Sequence, residues 1–228
     1  MIPWKLLDRA PVPGGEGVLM LYQRGEEFSI RVTGHGELMN SRAHGSEDAL
    51  AALACARLVG RKQPRLLIGG LGMGFTLAAA LRELGPDAEV VVAELVPAVV
   101  TWNRGALGAQ AGNPLLDSRA TVQEIDVARL LRAERNAFDA ILLDVDNGPE
   151  GLTRNANDWL YSSGGLAAAF AALRTDGILA VWSAGSDRNF TDRLRCTGFD
   201  AEEVRVRARK SKGARHTIWL AQRQGVAR

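Results

Sequence analysis

Three stretches of the chain, two of them compact and the third running from Glu94 to Asp126, hold side chains that can do chemistry. In residues 143–149 (LDVDNGP), Asp144, Asp146 and Asn147 crowd the end of an apolar run, and a Gly-Pro turn follows. Closely spaced carboxylates can hold a cationic amine and take its proton, freeing the nitrogen lone pair for attack. An Asx-type turn would account for Asp146 and Asn147, but less readily for Asp144, which abuts the apolar run. In residues 68–74 (IGGLGMG), four glycines fall within six positions. Glycines there let the chain turn sharply and bring backbone N–H groups close to a ligand. The dinucleotide spacing G-x-G-x-x-G fails, because Phe75 stands where the third glycine is required. Gly70, Gly72 and Gly74 instead suit a nucleoside bound without a pyrophosphate; the alternative is a merely tight strand–helix turn.

Two acids lie downstream of the glycines. Glu94 follows Gly74 by twenty residues at the end of an apolar run. A carboxylate there can accept from both ribose hydroxyls; alone, it reads equally as a solvent-facing acid. Asp126 could accept from an adenine amino group or cap the next helix, and both can hold at once. Leu71, Leu95 and Val127, beside these groups, are expected to line the same nucleoside site. Trp159 and Tyr161, expected in a loop before a helix, could wall an acceptor pocket together with Asn147, or simply pack that loop. His44 is a possible general base or a surface residue.

These groups need a scaffold, and the hydrophobic pattern supplies one. Residues 17–24, 27–32 and 36–39 read as short strands separated by glycine-containing turns, forming a small antiparallel element over residues 1–45. A helix is expected from Ser46, its N-cap, with Glu47 and Asp48 in the first turn. Strand-like runs (65–68, 89–94, 120–124, 138–143, 177–182) then alternate with helical ones (75–84, 97–104, 127–135, 165–173, 187–196). Two final strands, 203–209 and 216–221, close the chain. Such alternation with near-continuous apolar strands predicts an α/β domain over 46–228: a mostly parallel sheet, helices on both faces, and one antiparallel strand at the end. Ligands of such sheets bind at the carboxyl ends of the strands, where all three chemical stretches fall.

Composition narrows the function classes. The chain has 228 residues, 46% hydrophobic and 24% charged, enough for one domain with a small appendage. The longest nearly uncharged apolar stretch, residues 164–173, is about half of what a membrane span requires. No signal-like segment opens the chain, so a cytoplasmic address is expected. Two distant cysteines and three scattered histidines exclude a disulfide scaffold and any Cys/His metal motif, so no metal is expected. Residues 201–228 hold 8 Lys/Arg against 2 Asp/Glu. Because Arg205, Arg207 and Arg209 alternate with Val204, Val206 and Ala208, a strand with one wet face is favoured over a nucleic-acid surface.

Taken together, these residues resemble the class I S-adenosylmethionine-dependent methyltransferase fold and, within it, the spermidine synthase (polyamine aminopropyltransferase) family. The glycine run lies where that family has I-G-G-G-D-G-G. Glu94 matches its ribose-binding acid, Asp126 its adenine-contacting acid, and Asp144 the first acid of its D-S-[ST]-D-P loop. The resemblance implies a Rossmann-like mixed sheet of seven strands, an adenosyl donor, an amine acceptor and, often, a homodimer. The sequence departs from the family at three points. Gly72 replaces the acid that holds the donor's amine, Asn147 replaces the second loop acid with Asp146 displaced by one, and the pocket tyrosine near the first helix is missing. Each departure removes a group that recognises a cationic amine. Gly72 also removes a repulsion against the carboxylate of S-adenosylmethionine itself. The sequence reading therefore ranks methyl transfer from S-adenosylmethionine to an amine or other small acceptor first, with Asp144 as base, helped by Asp146 or His44. Aminopropyl transfer from decarboxylated S-adenosylmethionine is the alternative, and a non-catalytic nucleoside-binding module the third reading.

Overall fold

The computed structural model describes residues 2–15, 17–145, 158–208 and 214–225. Its main layer is a seven-stranded mixed sheet of β5 (Arg65–Gly69), β6 (Glu89–Glu94), β7 (Ala120–Glu124), β8 (Phe138–Leu143), β9 (Leu173–Ser183), β10 (Phe199–Arg207) and β11 (Arg215–Arg223), in the spatial order β10-β11-β9-β8-β5-β6-β7. β5 pairs in parallel with β6 on one side and β8 on the other, so the direction of winding reverses between β5 and β8. β11 runs antiparallel to both of its neighbours.

Helices cover both faces because the strands are apolar on both. Toward one face point Leu66, Ile68, Val90, Val92, Ala140 and Leu142, packed under α1 (Gly45–Ala56), α2 (Phe75–Glu83) and α3 (Pro97–Arg104). Toward the other point Leu67, Val91, Ile141, Leu143, Leu179 and Trp219, packed under α4 (Val127–Ala133), α5 (Asp158–Tyr161), α6 (Ser163–Ala172) and α7 (Arg188–Cys196). This strict alternation is what a period of two demands of a doubly covered strand. Trp219 is fully buried, and its indole N–H donates to Thr191 Oγ1 at 2.8 Å.

A second, four-stranded antiparallel sheet comprises β1 (Lys5–Pro11), β2 (Val18–Arg24), β3 (Glu27–Val32) and β4 (Gly36–Asn40). Its buried Leu19, Leu21, Phe28 and Ile30 join the core of the α1–α3 face.

Several elements correct the sequence reading. β1 went unread because KLLDRAP contains no β-branched residue, ends in proline and carries a register shift between Leu6 and Asp8, which erases the alternation. Ser46 is not the N-cap of α1. His44 occupies that position without a side-chain cap, and Ser46 turns inward. Trp159 and Tyr161 lie on the short helix α5 rather than in a loop. The wet-faced strand at residues 203–207 forms as expected, with Arg205 and Arg207 exposed on β10.

Candidate active site

The site assembles at the carboxyl edge of the sheet, where β5 and β8 part. β5 delivers the chain into the glycine loop. Gly70 adopts φ +91°, and a Cβ placed there would stand 2.4 Å from the carbonyl oxygen of Asp144. Only glycine satisfies both the left-handed backbone and that approach. The loop is thereby pressed against the exit of β8, where Asp144 N–H also donates to Gly69 O at 2.9 Å. Gly72 has φ +54°, and Met39 Sδ, reaching over from β4, would lie 3.1 Å from a Cβ there. Asn103 of α3 secures the loop from below, donating to Gly72 O at 2.8 Å. Gly74 ends the loop as the left-handed N-cap of α2.

Glu94, at the end of β6, is 7% exposed. One carboxylate oxygen accepts from Leu71 N–H and the other from Val96 N–H, each at 2.8 Å. The acid therefore braces the glycine loop onto β6. Burial raises its pKa, opposed by the amides of Val96, Leu71, Leu95 and Gly72. Asp126 caps α4, accepting from Ala128 N–H at 2.8 Å. Leu95 is half-buried and packs against the core of the α1–α3 face. Val127, 4% exposed, packs its methyl groups against Gly69.

Asp144 is half-buried, and its Oδ2 accepts from Thr76 Oγ1 at 2.6 Å. Burial pushes its pKa up, and the threonine bond partly offsets this. Facing it is a group the sequence reading did not single out. Glu47, in the first turn of α1, lies close enough to feel the charge of Asp144, and burial together with that charge raises its pKa to about 7. Among the described residues neither carboxyl makes an ion pair. The contrast with Asp139, at the opposite end of β8, is informative. That buried carboxylate is held by Arg61 at 3.0 Å and Arg174 at 2.7 Å, and also accepts from Arg65 N–H. One end of the strand neutralises its acid with two arginines; at the other, no ion pair to either carboxyl is found among the described residues.

The remaining sequence candidates divide by position. His44 stacks on Phe75 at 4.2 Å, next to Thr76, and its Nδ1 meets Asp48 Oδ2 at 2.9 Å. It borders the two-carboxyl cluster, with one ring nitrogen engaged. Tyr161 is 3% exposed, and its hydroxyl donates to Val145 O at 3.1 Å, securing the chain just beyond β8. Trp159 is half-buried, with the Arg132 guanidinium over its ring at 3.6 Å. Asp146 and Asn147 lie outside the described residues. Nothing in the sequence marked Glu47 beyond its place in a helix's first turn, and Thr76 sits in the apolar stretch FTLAAAL that opens α2. Their role follows from α1 and α2 both starting at this sheet edge. Among the described residues no group of His, Cys, Asp and Glu is arranged to hold a metal ion, and no helix is long and apolar enough to cross a membrane.

No protein-family model matches the sequence, and no curated protein matches it. Solved structures do match the fold. A spermidine synthase in complex with the transition-state analogue AdoDATO superimposes with a TM-score of 0.75 at 16% identity, over 98% of this chain and 73% of that one. Spermidine synthase from Thermotoga maritima gives 0.75 at 15% identity with the same coverage. A probable spermidine synthase from Corynebacterium glutamicum gives 0.64 at 15%, covering 97% of this chain and 82% of that one. The chain thus has a spermidine-synthase-like, Rossmann-like α/β fold with a small antiparallel sheet at its N-terminus.

Proposed function

We propose that this protein is a transferase that moves the aminopropyl group of decarboxylated S-adenosylmethionine to an amine acceptor. The observation that carries the reading is the pair Asp144 and Glu47, two carboxyls at the strand edge beside the glycine loop that make no ion pair among the described residues. The glycine loop and Glu94 provide a cradle and a carboxylate where a nucleoside's sugar would lie, and Asp126 stands at the next strand end for its base. On the acceptor side, Asp144 and Glu47 hold the ammonium. One of them takes its proton, and the nitrogen lone pair is then free to attack the carbon bound to the sulfonium. Positioning supplies most of the acceleration, since the sulfonium is already an activated leaving group. Two carboxyls close enough for one to raise the pKa of the other also favour an acceptor that brings positive charge.

The sequence reading ranked methyl transfer first. The structural neighbours are spermidine synthases and back its alternative better. Methyl transfer from S-adenosylmethionine stays as the second reading for one specific reason. The thioether of Met39, not an acid, lies over Gly72, so no carboxylate is placed there to hold the amine of a decarboxylated donor. Calorimetric titration with the carboxylated and decarboxylated donors side by side separates the two, with tighter binding of the decarboxylated form expected. Transfer to a short aliphatic diamine should vanish in Asp144→Asn while donor affinity is kept. Preference for the carboxylated donor would reverse the ranking, and retained transfer would place the base elsewhere.

A further inference from the structure

Glu47 does not stand alone. Ser46 Oγ lies 2.6 Å from Glu47 Oε2 and 2.9 Å from Nδ1 of His216 on β11. Ser46 is 1% exposed, and half-buried His216 meets the Trp182 ring in a T-shaped contact with centroids 4.7 Å apart. A hydroxyl has one hydrogen to give and lone pairs to accept with. When Glu47 is ionised, Ser46 donates to it and accepts from His216 Nδ1–H. When Glu47 is protonated, the order reverses: Glu47 donates to Ser46, and Ser46 donates to a bare Nδ1.

We propose that Glu47, Ser46 and His216 form a proton relay that carries the proton released in the crevice out to the C-terminal hairpin. The proposal rests on the transferase reading above, in which an amine loses a proton beside Asp144 in each turnover. In the relay an N–H bond of the ammonium breaks as an O–H forms on ionised Glu47; that O–H then breaks as a new O–H forms on Ser46. The original Ser46 O–H breaks as an N–H forms at His216 Nδ1, and the imidazolium then gives a proton to water. Burial lowers the pKa of His216, so the ring is neutral and ready to accept at neutral pH.

Among the described residues the charged surroundings are few. Glu47 faces Asp144 from β8, with Asp48 and His44 on its own segment and Arg82 of α2, which is bound to Asp48 at 2.8 Å. Arg57 of α1 and Glu202 of β10 pair at the far end of the helix. His216 lies opposite Val206 on β10, flanked by exposed Arg205, Arg207 and Arg215.

Nitrogen NMR of the histidine rings tests the relay without donor or acceptor, so its failure is separate from failure of the transferase reading. In the full chain, His216 should switch from the Nδ1–H to the Nε2–H tautomer as pH falls through about 7, where Glu47 takes up its proton. Glu47→Gln and Ser46→Ala should each abolish the switch, and Ser46→Thr should restore it. One unchanging tautomer across this range in the wild type, or a switch that survives Glu47→Gln, overturns the relay. Transfer to an aliphatic diamine should slow about tenfold in Ser46→Ala and recover in Ser46→Thr; an unaltered rate in Ser46→Ala also overturns it.

Discussion

Glu94 joins two duties in one carboxylate. Its two short bonds to Leu71 and Val96 hold the glycine loop in shape, and the proposed function gives the same carboxylate a bound sugar to grip. Truncation to alanine leaves two buried N–H groups without acceptors, at a cost of roughly 2–4 kcal/mol. Chemical denaturation of Glu94→Ala should show that loss. Calorimetry should show at least about a tenfold weaker affinity for the adenosyl donor. Unchanged affinity alongside lower stability would leave Glu94 as a brace only. The same carboxylate chemistry has a different outcome at Asp139, where two arginines satisfy the charge and nothing remains for a ligand.

Among the elements, the junction of β5, the glycine loop and β8 sets the geometry of the site. Gly70 is its tightest point, with a left-handed backbone and a neighbouring carbonyl where a side chain would begin. Gly70→Ala combines an unfavourable φ with a clash against backbone, which cannot swing aside as a flexible side chain would. The expected destabilisation is about 3 kcal/mol or more, measured by denaturant unfolding. A loss below about 1 kcal/mol would mean that the loop and β8 separate easily. The N-terminus of α1 is the other decisive element. It brings Ser46 and Glu47 to the exit of β8, and Gly45 N–H anchors it to Ala208 O at 2.9 Å.

At the scale of the whole molecule, the cost of holding Glu47 and Asp144 together appears as a dependence of stability on pH. The folded-state pKa of Glu47 is raised from 4.5 to about 7. Its contribution to stability is therefore complete below pH 4.5 and is lost as pH rises through about 7. Relative to Glu47→Gln, the wild-type protein should lose on the order of 2 kcal/mol over that interval. His216, lowered by burial, works in the opposite direction, gaining as pH rises through 6.5. The comparison with Glu47→Gln isolates the carboxyl. Parallel stability curves for the two proteins would show that the carboxyl is not under strain.

Hydrophobic period and glycine placement by themselves determined the alternating strands and helices, the two-faced core and the loop after β5, because these depend on neighbours a few positions apart. The places of Glu94 and Asp144 at strand ends were legible for the same reason, since each closes an apolar run. Strand β1 was not legible, since its pairing with β2 rather than its own residues makes it a strand. The opposition of Glu47 and Asp144, the Met39 cap over Gly72 and the contact of Ser46 with His216 join positions 33 to 170 residues apart. Only the tertiary structure decided them, because charge, burial and hydrogen-bond partner belong to the place a side chain occupies and not to the residues on either side of it.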